Sequence, residues 1–173
     1  MIVGKKINDD EILKLYEMEN NGIKDVDYNI LKKHLKKRKA KYYVELTFSE
    51  VLKIIMPHHQ FCNSKLKLTF KGFIWKHFGG LTLKKVIQKF DDKYKNNYPI
   101  CWEKVEVQSN LQNNTTIFLS KGKPSTFDLN YFPFHNKKNE LYLLDGFHRL
   151  VSIGMKKTRI KKYKFILMDY QSK

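Results

Sequence analysis

The sequence predicts a single α+β domain with a helical N-terminal extension, and three observations lead there. Its 173 residues suffice for one domain and are too few for two ordinary ones. Of these, 42% are apolar and 14% aromatic, enough to bury a real core and too much for a disordered chain. Segments of helical and of strand spacing follow one another, with no internal repeat, heptad or low-complexity tract. No apolar run reaches the about 18 residues of a membrane span, so no membrane partner is expected. The start, MIVGKKINDD, lacks the apolar centre of a secretory signal. Cys62 and Cys101 are too few for a disulfide scaffold, and a cytoplasmic setting is expected.

Residues 1–41 read as the extension and 42–173 as the main domain. Asn8 caps a first helix, with Glu11 three positions on as in a capping box; Ile12, Leu13 and Tyr16 form its apolar face and Asn20-Asn21-Gly22 stops it. Asp27 caps a second helix through Ala40, with Leu31, His34, Leu35 and Arg38 on one stripe and lysines around the rest. YYVELT at 42–47 reads as extended, and Thr47-Phe48-Ser49-Glu50 is a second capping box, its helix broken by Pro57. Leu66, Leu68 and Phe70 alternate with polar residues as in a strand, and FIWKHF at 73–78 follows a turn as another. Thr82 caps a helix carrying Leu83, Val86, Ile87 and Phe90 on one face. ICWEKVEV at 100–107 and TTIFLS at 115–120 read as strands on either side of an Asn-rich turn. A long irregular stretch, 121–139, precedes the apolar run at 140–144. Helical spacing through Leu150, Val151 and Ile153 follows, and YKFILMDY at 163–170 is a last strand.

The formal charge of +17 is uneven. Residues 1–27 carry a net −3 and residues 28–173 a net +20. Only Arg38, Arg149 and Arg159 are arginine, and Ala40 is the lone alanine, a skew that fits an AT-rich genome and inflates Lys. A cationic body suits a polyanionic partner: a nucleotide, DNA or RNA.

The most informative segment is Leu143-Leu144-Asp145-Gly146-Phe147-His148-Arg149-Leu150, a strand, a tight corner and a helix start. A helix N-terminus presents backbone N–H groups and the positive end of the dipole, which favours an anion. Gly146 removes the Cβ that would keep a phosphate away. Arg149 supplies a planar fork for phosphate oxygens, and His148 a donor that can also move a proton. Asp145 can hold a divalent cation, orient His148 or cap the helix. The plainer alternative is an ordinary turn with two surface side chains. The segment is neither a Walker A loop nor a GxGxxG fingerprint.

ELYLLDGFHRLVSIGMKK, followed by KYKFILMDY, resembles the signature segment of the ParB/sulfiredoxin superfamily over about residues 115–170. It looks most like members carrying Asp-Gly-x-His-Arg, including free serine kinases and ParB-like nuclease domains. The resemblance implies a mixed sheet and a turn that binds the phosphates of ATP or another NTP. Gly146, Phe147, His148 and Arg149 would hold the phosphates, and Asp145 would sit at the reacting centre with Mg²⁺. Sulfiredoxins place their catalytic Cys where this chain has Phe147, which argues against sulfinic acid reduction. Partition proteins carry an Arg-rich box and a helix-turn-helix domain behind it, for which 173 residues leave no room. The kinases use an earlier Glu as general base. Glu103, Glu106 and Glu50 are the candidates here, Glu106 being taken with Asp145 and His148 as catalytic. At Pro57-His58-His59-Gln60, a segment like the one carrying that Glu, His59 would replace it.

His58, His59 and Cys62 are close enough for a metal site but lack a second pair at zinc spacing. Phe127, Tyr131, Phe132, Phe134 and His135, interleaved with lysines, could stack nucleobases or simply anchor the loop. Trp75 and Trp102 read as core, and the basic run Lys156–Lys164 as solvated charge. The expectation is an ATP-dependent phosphotransferase, of kinase type toward a small hydroxyl compound, or a nucleotide hydrolase. The alternative is a ParB-like DNA-binding protein or metal-dependent nuclease. A third is a non-catalytic protein that keeps only the phosphate pocket.

Overall fold

A computed structural model describes residues 1–19, 26–36, 38, 40–57, 80–110, 116–121, 140–156 and 162–169. Among them are five strands in one mixed sheet and seven helices. The order along the chain is β1 (Ile2–Lys6), α1 (Asp9–Glu19), α2 (Val26–Lys36), β2 (Ala40–Leu46), α3 (Phe48–Val51) and α4 (Leu83–Gln88). There follow α5 (Asp92–Asn97), α6 (Pro99–Asn110), β3 (Phe118–Lys121), β4 (Leu141–Asp145), α7 (Phe147–Met155) and β5 (Tyr163–Asp169). Across the sheet the strands lie β1-β2-β5-β3-β4. Only β3 and β5 run parallel, with Phe118 opposite Ile166; the other three pairings are antiparallel. The outer edge of β4 is held by Ile55, whose N–H donates to Leu141 O at 2.8 Å and whose carbonyl accepts from Leu143 N at 2.9 Å.

Strand side chains alternate between faces, so one sheet serves two cores. Val44, Leu46, Leu119, Leu143, Phe165 and Leu167 pack with Val86, Val105, Leu150 and Val151 of α4, α6 and α7. On the other face Phe118, Ile166 and Met168 meet Ile12, Tyr16, Leu31 and Leu35 of α1 and α2. Residues 1–41 thus contribute an edge strand as well as two helices, and those helices pack on the sheet face opposite the main core, against Phe118, Ile166 and Met168. Arg38 is buried at the end of that layer, where its guanidinium donates to Ser120 Oγ at 2.8 Å.

The caps explain why several elements begin where they do. The N–H of Glu11 donates to Asn8 Oδ1 at 2.8 Å, and Thr47 and Glu50 form a reciprocal capping box. Thr82 accepts from the N–H of Lys85, and Asp91 from that of Tyr94. The second helix starts at Val26, so Asp27 lies inside it, and it ends at Lys36 because Ala40 already pairs with β5. The expected strand at 100–107 is the helix α6. Pro99 suits a first helical position, and the apolar residues point several ways round the axis. Cys101 and Val105 enter the core, Trp102 lies on Phe90 at 5.5 Å between ring centres, and Ile100 and Val107 face outward. The strands expected at 66–70 and 73–78 lie outside the described residues, as does most of the loop at 121–139.

Candidate functional site

The corner between β4 and α7 forms as its sequence predicts. β4 ends at Asp145, and Gly146 is the N-cap of α7 with φ 97° and ψ 34°, a left-handed conformation that favours glycine. A Cβ on Gly146 would lie 3.2 and 3.3 Å from the Cγ1 and Cγ2 of Ile117 and 3.4 Å from Arg149 Nε. The chain is therefore pressed against Ile117, just before β3, from one side and crossed by Arg149 from the other. No side chain caps the helix.

Arg149 folds back one turn and donates from Nη2 to Asp145 Oδ2 at 3.2 Å. The arginine side chain is mostly buried and the aspartate side chain 51% exposed, so the pair opens to solvent on its acidic side. Phe147 is buried in the main core, so toward a ligand in the turn it offers backbone alone. His148 is half-buried and meets the Phe147 ring edge-on at 5.5 Å. Its pKa is pushed down to about 4, first by burial and then by the positive charges of Lys104 and Arg149. The imidazole is neutral at pH 7, able to accept a proton as well as to donate a hydrogen bond.

Lys104 was not among the expected site residues. Its positive charge is felt at His148 because α6 packs on α7. Reading 100–107 as a strand hid it, and Pro99 was the one signal for the helix. Glu106 is two residues further on, about 200° round the helix from Lys104. Its Oε1 accepts from Trp102 Nε1 at 2.6 Å and lies 3.8 Å from Lys95 Nζ. It belongs to the aromatic surface of α5 and α6 and not to the group round His148. Glu103 is exposed on α6. Glu50 is engaged by the capping box and by the amine of Met1, which holds its carboxyl at about 2. His58, His59 and Cys62 lie outside the described residues, as do Trp75 and the loop aromatics from Phe127 to His135.

The structure thus gathers Asp145, Gly146, His148, Arg149 and Lys104: two cations, one neutral imidazole and one carboxylate. Among the described residues no group of three or more His, Cys, Asp or Glu is placed to enclose a metal. Mg²⁺ commonly takes one or two carboxylates and completes its shell with phosphates and water, so a lone exposed Asp145 fits that mode and no other. A depression of about 450 Å³ lined by Lys5, Lys6, Asp9, Glu11 and Lys41 lies at the β1–α1 corner. It sits at the opposite edge of the sheet and is unrelated to the turn. Among the described residues no helix is long and apolar enough to cross a membrane.

Comparison with known proteins adds one match. The model of a family described as "Family of unknown function (DUF6309)" matches residues 15–165. No curated protein and no solved structure matches the chain.

Proposed function

The chain belongs to the DUF6309 family, and for it we propose a nucleotide-binding enzyme that transfers or hydrolyses a terminal phosphate, with the Asp145–Arg149 turn as its phosphate-binding element. The observation that carries this reading is Gly146 in a left-handed conformation at a helix start, with His148 and Arg149 on the first turn. That arrangement offers a phosphate the first backbone N–H groups of α7 at the positive end of its dipole, with the imidazole and the guanidinium on the same turn. The resemblance to Asp-Gly-x-His-Arg members of the ParB/sulfiredoxin superfamily supports the same reading.

Each side chain then has a task. Arg149 turns its fork from Asp145 to the phosphate oxygens. Lys104 adds a second positive charge from α6. Asp145, once released, is the residue that would hold Mg²⁺, which when bound neutralises phosphate charge. His148, neutral at pH 7, takes the proton from an acceptor hydroxyl or a water as that oxygen attacks phosphorus and the nucleoside diphosphate leaves. Glu106 has no part in this step, since it faces the other side of α6.

Thermal shift with Mg·ATP and a panel of other nucleoside triphosphates tests the reading. At a concentration about 100 times Kd the expected rise in Tm is about 5–10 °C. His148→Ala and Arg149→Ala should each abolish it while leaving the fold intact by circular dichroism. No shift with any nucleotide would overturn the reading. The strong positive charge favours a second reading, a DNA-binding or DNA-cleaving protein, which salt dependence distinguishes.

A further inference from the structure

Helix α6 carries an exposed stripe of which the candidate site uses Lys104 alone. Ile100 is 49% and Val107 51% exposed. They are seven residues apart and so lie within about 20° of one another round the helix. Glu103 and Lys104 sit between them, both exposed, and among the described residues neither makes an ion pair. All four fall on an arc about 100° wide, on the side away from buried Cys101 and Val105. Cys101, Val105 and Trp102 of this helix pack in the core or in the aromatic group with Phe90.

The stripe reads the same in both directions. When a second α6 is laid antiparallel across the first, with a two-fold axis between positions 103 and 104, Ile100 meets Val107 of the other copy. Glu103 then meets Lys104 of the other copy. Each contact occurs twice, as an isologous interface requires. A parallel arrangement would set Glu103 on Glu103 and Lys104 on Lys104 and loses the match.

We propose that this face of α6 docks a second copy of the chain, as an antiparallel two-fold helix pair with two apolar contacts flanking two Glu103–Lys104 ion pairs. The charge complementarity selects a copy of this chain over an unrelated partner. One helix face is a small interface, so the association is weak and concentration-dependent. The proposal does not depend on the phosphate-binding reading, though the partner's Glu103 would then pair with the lysine whose charge acts on His148.

Sedimentation velocity on the full chain, from about 5 to 500 μM, is the test, with circular dichroism to confirm the fold of each variant. The expected result is a monomer–dimer equilibrium. Glu103→Lys or Lys104→Glu should weaken it about tenfold or more, because each variant turns both ion pairs into like-charge contacts. The double variant Glu103→Lys/Lys104→Glu should restore it, as should mixing the two single variants. Val107→Asp should abolish it. A chain that stays monomeric throughout, or a dimer untouched by the single charge reversals, overturns the proposal; the first outcome leaves the face to a different partner.

Discussion

His148 connects the candidate site to the stability of the whole chain. Its folded pKa of about 4 lies below the roughly 6.5 of an unfolded histidine. The unfolded chain therefore takes up the proton first. The contribution is intact above about pH 6.5 and is lost as the pH falls toward 4. With allowance for solvent at the half-buried ring, the loss is on the order of 1–2 kcal/mol. A profile of Tm against pH should fall across that window for the native chain and run flatter for His148→Gln. Glu50 acts lower: with its carboxyl held at about 2, its contribution persists above about pH 4.5 and disappears toward pH 2. Gly146→Ala imposes both a left-handed backbone on alanine and a Cβ against Ile117. Denaturant unfolding should show a loss of about 1–3 kcal/mol, together with loss of any nucleotide-induced shift.

Packing between elements turns on a second glycine. At Gly154 a Cβ would fall 2.3 Å from Ile87 Cδ1 and 3.1 Å from Leu83 Cδ2, so α4 and α7 cross where α7 carries no side chain. Alanine there gains up to about 1 kcal/mol of helix propensity but overfills the crossing by about 1–3. Net destabilisation of about 0.5–2 kcal/mol is expected for Gly154→Ala, and Ile87→Val, which removes the nearest methyl, should recover most of it. Strict additivity of the two changes would show that this contact does not limit the approach. The same scale shows what could be read beforehand. Asn8, Thr47 and Thr82 announced helices through local hydrogen bonds, and the β4–α7 corner through Asp145-Gly146, because these signals span three or four residues. β1 gave none: all five residues of IVGKK are exposed, so neither face needed an apolar alternation. The helix α6 was misread because its apolar residues serve three surroundings at once, erasing the 3.6 period. Lys104 was lost with it, since its electrostatic effect on His148 is set by how α6 and α7 pack and by nothing near it in sequence.

At the scale of the molecule, charge and topology dominate. A body of net +20 predicts nonspecific attraction to DNA or RNA whatever the turn does. Under the phosphate-binding reading, affinity for DNA should fall steeply between about 50 and 200 mM salt and be insensitive to Arg149→Ala. Binding that resists salt and depends on Arg149 would instead favour the DNA-directed reading. The order β1-β2-β5-β3-β4 has a consequence for the chain as it is made. The strand at the centre of the sheet is the last of the five to leave the ribosome. Until then β1–β2 and β3–β4 are two separate ribbons, each with a bare hydrogen-bonding edge facing an absent neighbour. Both hydrophobic layers draw on Phe165, Ile166, Leu167 and Met168, so neither can close early. Synthesis should therefore leave a long interval in which the nascent chain depends on chaperones, followed by near-simultaneous completion of both cores.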